Sequence, residues 1–520
     1  MRAFTAHQLS YQLPTGRTLF TNISCTLNAQ LTGLVGHNGI GKSMLGKLLS
    51  GRQQPSSGTL HHQAVCAVFE QHSSTGAQSL SQALGLADAL MALEQIEQGA
   101  IDTYWFDRLG EHWSVRETFA NTCQTLALPE DPELPLEKLS GGQIARVQLW
   151  RLFNNQADWL LLDEPSNHLD RAGKEWLLEQ MRHYPGQILL ISHDRFLLRE
   201  MQEIWELDHR GLNIYGGGYD RYAVQKQQEQ AALERQLSSA EDALKQAQKQ
   251  AQLEYEKAQQ RAAKGRKLAK DGSQAKIILD RQKERASASA STRSTQAQHQ
   301  QTLLQHKIQQ LQARQSEALT PTVAFGQVET GKRTLVQLVN ATLPYGHSTP
   351  INLSIREGEK LHLTGSNGSG KSTLLKVLQG RLPLVSGDII LNGTSCYLDQ
   401  QFNLLNLNST LLDSLIQSTH LSISEKRTLL AQAGFRGDRV HHRVSCLSGG
   451  ERMKLALLVA SHQPHTPLLL LDEPDNHLDI GYKNTLADTL KLYTGALLLV
   501  THDEVFAERC QIDTQYSLDS

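Results

Sequence analysis

The chain has 520 residues, 39% hydrophobic and 20% charged, with 51 Lys and Arg against 53 Asp and Glu for a formal net charge of -2. That length fits about three folded domains and excludes a wholly disordered chain. The overall charge points to no nucleic acid or membrane surface, so any such signal must be local, and no stretch approaches the roughly 18 uninterrupted apolar residues a membrane span needs.

The first sixteen residues, MRAFTAHQLSYQLPTG, hold no apolar signal core. The apolar run 31–35 predicts a buried strand, and GHNGIGKS follows at 36–43. This is a G-x-x-x-x-G-K-S phosphate loop. Its glycines let backbone N–H groups close around phosphate oxygens, and the next helix points its positive end at them. Gly36, His37, Asn38, Gly39, Ile40, Gly41, Lys42, Ser43 and Met44 are therefore candidate nucleotide contacts, with Lys42 on the β- and γ-phosphates and Ser43 on Mg²⁺.

LSGGQ at 139–143 is a second anion site by type, a hydroxyl and glycines ahead of a helical stretch, and it offers Ser140, Gly141, Gly142 and Gln143. The apolar run 159–162 predicts a strand that ends on Asp163, placed to hold Mg²⁺, with Glu164 next to orient and deprotonate an attacking water. His193 follows another apolar run at 188–191 and is expected to contact the γ-phosphate. The six cysteines form no CxxC pair, which fits reduced thiols and no zinc site.

From 222 to 315 the composition turns to Gln, Ala, Lys and Glu without proline. Leu233, Leu237, Ala240, Leu244, Ala247 and Ala251 recur at three- and four-residue steps, as do Leu304, Ile308 and Leu311. The pattern predicts two helices with narrow apolar seams packed as an antiparallel hairpin, broken near 270–273 or within 287–295. Residues 261–285 carry nine basic side chains (Arg261, Lys264, Arg266, Lys267, Lys270, Lys276, Arg281, Lys283 and Arg285) against three acidic ones. A local excess of six is a phosphate-seeking footprint that would read RNA shape and backbone.

Everything before this segment then recurs in the same order. After the run 361–364 comes GSNGSGKS, giving Gly365, Ser366, Asn367, Gly368, Ser369, Gly370, Lys371, Ser372 and then Thr373. LSGGE at 447–451 supplies Ser448, Gly449, Gly450 and Glu451. The run 468–471 leads to Asp472 and Glu473, and the run 496–500 to His502. Matching motifs lie about 310–330 residues apart, which means duplicated domains and not a solenoid of small repeats. Two composite sites become possible, each phosphate loop facing the other copy's signature.

These residues resemble the ATP-binding cassette superfamily, with its Walker A, glutamine loop, signature, Walker B, D-loop and switch histidine each present twice. The resemblance implies an α/β fold of two P-loop NTPase cassettes in tandem, over 1–221 and 321–520, joined by a helical basic linker over 222–320. It assigns Gln71 in VFEQ and Gln400 in YLDQ to the glutamine loop and Mg²⁺ set, and Asp170 and Asp479 to the D-loop. Tyr11 and Tyr345 stand where an aromatic ring could stack on adenine.

DEPSNHLD, DEPDNHLD and the entry NIYGGGYDRY narrow the likeness to the ABC-F family, tandem-cassette ATPases that act on the ribosome. That resemblance implies a cytoplasmic monomer whose cassettes close on ATP and Mg²⁺ and which needs no membrane subunit. The closed form would occupy the ribosomal E site, its linker would approach P-site tRNA and the peptidyl-transferase centre, and hydrolysis would release it. A factor protecting ribosomes from antibiotics and a DNA-associated ATPase in repair or transposition control are the alternatives.

Three departures from the family pattern matter. Met44 stands where the second copy has Thr373, Asp475 where the family has Thr, and Glu504 where Arg is common. The missing hydroxyl at Met44 removes a nucleotide hydrogen bond worth about 0.5–1.5 kcal/mol, so the first site should bind ATP more weakly than the second. Affinities measured at each site with the other disabled check this; equal values would contradict it. Between Gln71 and the first signature the chain is also about 20 residues longer than in the second copy, and the surplus at 87–113 predicts a short arm or a helical subdomain.

Overall fold

The computed structural model describes the chain except residues 1–3, 63, 71–77, 156, 168, 271–294, 297, 313–332, 347–348, 400–401, 419–420, 448, 463–466, 477 and 520. One compact unit gathers Met1–Tyr219 with Pro321–Ser520, and the other is Asp220–Thr320.

In the first copy β1 (Phe4–Gln12), β2 (Thr18–Thr26) and β4 (Ser57–His62) form an antiparallel sheet in the order β2-β1-β4. The second sheet runs β5-β6-β7-β3-β8-β9, built from β3 (Leu31–Gly36), β5 (Cys66–Phe69), β6 (Trp159–Asp163), β7 (Gln187–Ile191), β8 (Glu203–Asp208) and β9 (Gly211–Gly216). Its strands are parallel except β9, which pairs antiparallel with β8. The aliphatic runs of β3, β6 and β7 are buried almost throughout, as a strand covered on both faces requires. The rings of Phe4 and Trp159, 5.1 Å apart, join the two sheets in one core.

The second copy repeats the plan. β10 (Thr334–Thr342), β11 (Ile351–Arg356) and β13 (Ser386–Leu391) form the antiparallel sheet. β12 (Lys360–Thr364), β14 (Ser395–Leu398), β15 (Leu468–Asp472), β16 (Ala496–Val500) and β17 (Thr514–Ser517) form a parallel sheet in the order β14-β15-β16-β12-β17. In each copy the phosphate loop leaves an inner strand, β3 or β12, and the paired carboxylates leave β6 or β15 two strands away. All of this chemistry therefore gathers at the carboxyl edge of a parallel sheet.

The surplus residues of the first copy form two helices, Ala87–Glu97 and Thr103–Leu109. They pack on helix Val115–Leu126 through Ala92, Leu93, Leu109 and Val115, which makes them an extension of the helical layer.

In the second unit, helix Tyr219–Lys270 starts three residues earlier than the composition suggests and continues unbroken to the first expected break. Ala240 on it packs with Ile308 and Leu311 of the helical residues 298–312, flanked by Leu233, Leu237 and Leu244. That is the narrow apolar seam of a helix pair. Among the described residues no helix is long and apolar enough to cross a membrane.

Candidate functional site

Each phosphate loop ends on a glycine that only a left-handed backbone can place. Gly41 (φ 109°) and Gly370 (φ 102°) are the N-caps of helices Lys42–Leu49 and Lys371–Leu378. The Lys42 ammonium turns back into its own loop and donates to Gly36 O at 2.8 Å and His37 O at 3.2 Å. Lys371 does the same with Gly365 O at 2.7 Å and Ser366 O at 2.8 Å. Burial lowers both lysine pKa values, while nearby carboxylates, led by Glu164 for Lys42 and Glu473 for Lys371, oppose the shift. Ile40 is a core residue, and Met44 packs partly buried against the same core. Gly39, Gly368, Ser43 and Ser372 are exposed, Gly365 and Thr373 half-buried, and Ser369 is buried with an unpartnered hydroxyl.

The Ser43 hydroxyl faces Asp163 and the Ser372 hydroxyl faces Asp472. Burial raises the pKa of both aspartates, while each hydroxyl draws its own aspartate's pKa down. Asp472 also accepts from the Tyr397 hydroxyl at 3.0 Å, while its other buried oxygen has no partner. Hydroxyl and carboxylate oxygens are the ligands Mg²⁺ takes. Among the described residues no group of three His, Cys, Asp or Glu forms a metal cage, so nucleotide phosphates would complete the shell. Gln71 and Gln400, expected in the same set, lie outside the described residues.

Glu164 and Glu473 share an uncommon backbone. Their φ values are 49° and 52°, in the left-handed region that L-residues avoid, and their N–H groups donate to Ile191 O at 2.8 Å and Val500 O at 2.9 Å. The turn aims each carboxylate at the histidine beyond the neighbouring strand, with His193 Nε2 3.7 Å from Glu164 Oε1 and His502 Nε2 3.7 Å from Glu473 Oε1. Burial pushes the Glu164 carboxyl up to about 7, against the pull of Lys42.

Burial, reinforced by Lys42, holds His193 well below the usual imidazole value, and burial with Lys371 pushes His502 down to about 4. Both rings are therefore neutral at pH 7. Neither nitrogen of His193 and not Nε2 of His502 makes a hydrogen bond to the protein. The unfolded chain takes up a proton near 6.5 and folded His502 only near 4, so this histidine removes stability as pH falls through that window. His502→Gln should flatten the loss of stability there, read as unfolding midpoints against pH.

The two copies meet at these loops. Asn38 N–H donates to Asp479 Oδ2 at 3.3 Å, and Asn367 N–H donates to Asp170 Oδ2 at 3.4 Å. His37 Nδ1 also lies 3.6 Å from Asp479. Each D-loop aspartate thus caps its own helix and touches the other copy's phosphate loop. Arg146, on the signature helix Gly141–Phe153, holds Asp170 at 2.6 Å. Between the copies lies a polar cavity of about 30 Å³, lined by Glu164, Asn167, Lys174 and His193 from one side and Glu473, Asp475, Asn476, Lys483 and His502 from the other.

Other expected residues are placed differently. Ser140 and Gln143 cap each other, Ser140 N–H donating to Gln143 Oε1 at 3.0 Å and Gln143 N–H to Ser140 Oγ at 3.3 Å. Gly449, Gly450 and Glu451 open helix Gly449–Ser461, where Glu451 accepts from Arg439 at 2.5 Å; Ser448 lies outside the described residues. Tyr11 is corrected. It is 8% exposed and its ring stands 6.4 Å from Phe20, which makes it part of the core of the first copy. Tyr345 is 70% exposed.

Arg261, Lys264, Arg266, Lys267 and Lys270 lie on helix Tyr219–Lys270, but their side chains fall outside the described residues, as do Lys276, Arg281, Lys283 and Arg285 entirely. Glu504 forms an ion pair with Arg171 of the other copy. Asp475 is buried, accepts from Thr501 Oγ1 at 2.6 Å and lies 3.6 Å from Lys483 Nζ.

Sequence reasoning missed Tyr397, Lys174 and Lys483. The two lysines were detectable, since each stands four residues after its D-loop aspartate in both copies. Tyr397 was not, because the first copy has Val68 in its place.

A family model described as "ABC transporter" matches residues 20–167 and 348–476, together more than half of the chain. The chain is 28% identical over 518 residues to "Ribosome protection protein VmlR" of Bacillus subtilis (strain 168), covering 97% of this chain and 85% of that protein. It is 27% identical over 520 residues to "ABC transporter F family member 5" of Arabidopsis thaliana, covering 92% of this chain and 69% of that protein. A solved structure, "RNase-L Inhibitor", shares the fold with a TM-score of 0.56 at 16% identity, covering 97% of this chain and 86% of that one.

Proposed function

We propose, for a chain that belongs to the ABC-F family of tandem-cassette ATPases, that ATP closes its two cassettes into a ribosome-binding form and that hydrolysis reopens them. The observation that carries this reading is the reciprocal D-loop contact. Asp479 touches Asn38 and Asp170 touches Asn367, so neither phosphate loop can rearrange without the other cassette sensing it. VmlR, by its name a ribosome protection protein, supports the ribosome as the partner.

In the proposed cycle Lys42 and Lys371 exchange their loop carbonyls for β- and γ-phosphate oxygens. The signature residues, with Ser140 at a helix N-terminus, take the γ-phosphate of the opposite site. Ser43 with Asp163, and Ser372 with Asp472, would hold Mg²⁺, which would supply charge neutralisation on the phosphates. Glu164 and Glu473 orient a water in line with the γ-phosphate and accept its proton. The neutral imidazoles of His193 and His502 face the γ-phosphate, each with an Nε2 that makes no hydrogen bond to the protein. The closed form occupies the E site of cytoplasmic ribosomes as a monomer, and the basic linker residues contact RNA near the P-site tRNA.

Purified protein layered with ribosomes on a sucrose gradient tests this. Co-sedimentation that requires ATP supports the reading. ATPase activity stimulated by DNA and indifferent to ribosomes would replace it with the DNA-associated alternative. Protection against an antibiotic is a second reading, favoured by the similarity to VmlR, and drug inhibitory concentrations with and without the gene decide it.

A further inference from the structure

The two cassettes hold their switch-histidine turns differently. In the first, Lys174 Nζ lies 2.8 Å from Asp194, and Asp194 N–H donates to Ser192 Oγ at 3.0 Å. In the second, Lys483 Nζ donates to Asp503 at 3.1 Å, and Asp503 N–H donates to Thr501 Oγ1 at 3.0 Å. There the network continues. Thr501 Oγ1 donates to Asp475 Oδ1 at 2.6 Å, and Asp475 returns to Lys483 at 3.6 Å. Asp475, Lys483, Asp503 and Thr501 thus form a closed ring whose last two members flank His502. The first cassette has Ser166 at the position of Asp475, so its own strand end offers Lys174 no charge, although Asp475 acts on Lys174 from across the shared cavity.

Asp475 is 3% exposed, Thr501 4% and Lys483 7%. A carboxylate buried that deeply is costly unless it is both paired and hydrogen-bonded, and Asp475 is both. Removing its charge leaves Lys483 with one carboxylate at ion-pair distance, Asp503, in place of two, and frees the threonine hydroxyl. The backbone that moves when this ring loosens is the turn that carries His502.

We propose that Asp475 is a positioning residue for the second ATP site, locking the Thr501–His502–Asp503 turn through Lys483 so that this site hydrolyses faster than the first. The inference rests on the assignment of Glu473 and His502 to hydrolysis at that site.

Single-turnover phosphate release with one site silenced tests it. Glu164→Gln leaves the second site active, and Glu473→Gln leaves the first. In the Glu164→Gln background, Asp475→Asn should slow release about tenfold with ATP affinity changed less than twofold. In the Glu473→Gln background the same substitution should change release less than twofold. Asp475→Ser, which installs the first cassette's own residue, should reproduce the pattern if the amide destabilises the fold. Equal losses in both backgrounds, or none in either, would overturn the proposal. Wild-type release from Glu164→Gln/Glu473→Gln would instead overturn the assignment of the glutamates, and the inference with it.

Discussion

Replacing Glu164 and Glu473 together by glutamine is expected to slow ATP hydrolysis by about 10²–10⁴-fold while ATP still binds. Glutamine keeps the size of the side chain and tolerates the same left-handed backbone at φ 49° and 52° as well as glutamate does. It cannot accept the proton of the attacking water. The Glu164 carboxyl, pushed up to about 7 by burial, is matched to that task near neutral pH, which is why its loss should be felt fully. The substitution leaves the serines and the D-loop contacts in place and takes from Lys42 and Lys371 one carboxylate each, a charge that the bound phosphates supply in its stead, so nucleotide affinity should hold. Phosphate release and retained nucleotide measured on one sample check both halves of the expectation. In cells a clamp that shuts and cannot reopen should arrest growth.

Trp159→Ala should cost about 3–5 kcal/mol of stability. Trp159 is fully buried at the start of β6, its ring 5.1 Å from Phe4, in the core shared by both sheets of the first cassette. Its indole N–H has no partner, so the loss is one of packing and leaves no acceptor stranded. The cavity opens on the strand that carries Asp163, and hydrolysis at the first site should fall with stability. Denaturant unfolding should show the lowest transition moving to lower denaturant. Trp159→Phe, which keeps most of the ring, should lose less than half as much.

The phosphate loops, the strand ends and the switch histidines were legible because their chemistry is local. A phosphate needs consecutive N–H groups, and a catalytic carboxylate needs a strand end, so the required residues sit side by side in the chain. The duplication made each reading checkable against its twin. Tyr11 misled because its place before the phosphate loop fits a stacking role. The burial pattern of β1, with Phe4, Ala6, Leu9 and Tyr11 inward, assigns it to the core.

What the sequence concealed depends on contacts between distant segments. Asp475 stands out by composition, but its bond to Thr501 spans 26 residues and joins the D-loop segment to the switch turn. Glu504 reads as a lost positive charge until Arg171 of the other cassette faces it. The second cassette has Ile480 where the first has Arg171, so the repeat itself gave no hint of this pair.

Sedimentation of Glu164→Gln/Glu473→Gln with ribosomes in the presence of ATP tests the central claim most directly. The account predicts protein locked on the ribosome with ATP in both sites, released when nucleotide is withheld before mixing. Protein that retains ATP yet runs free of ribosomes would contradict it.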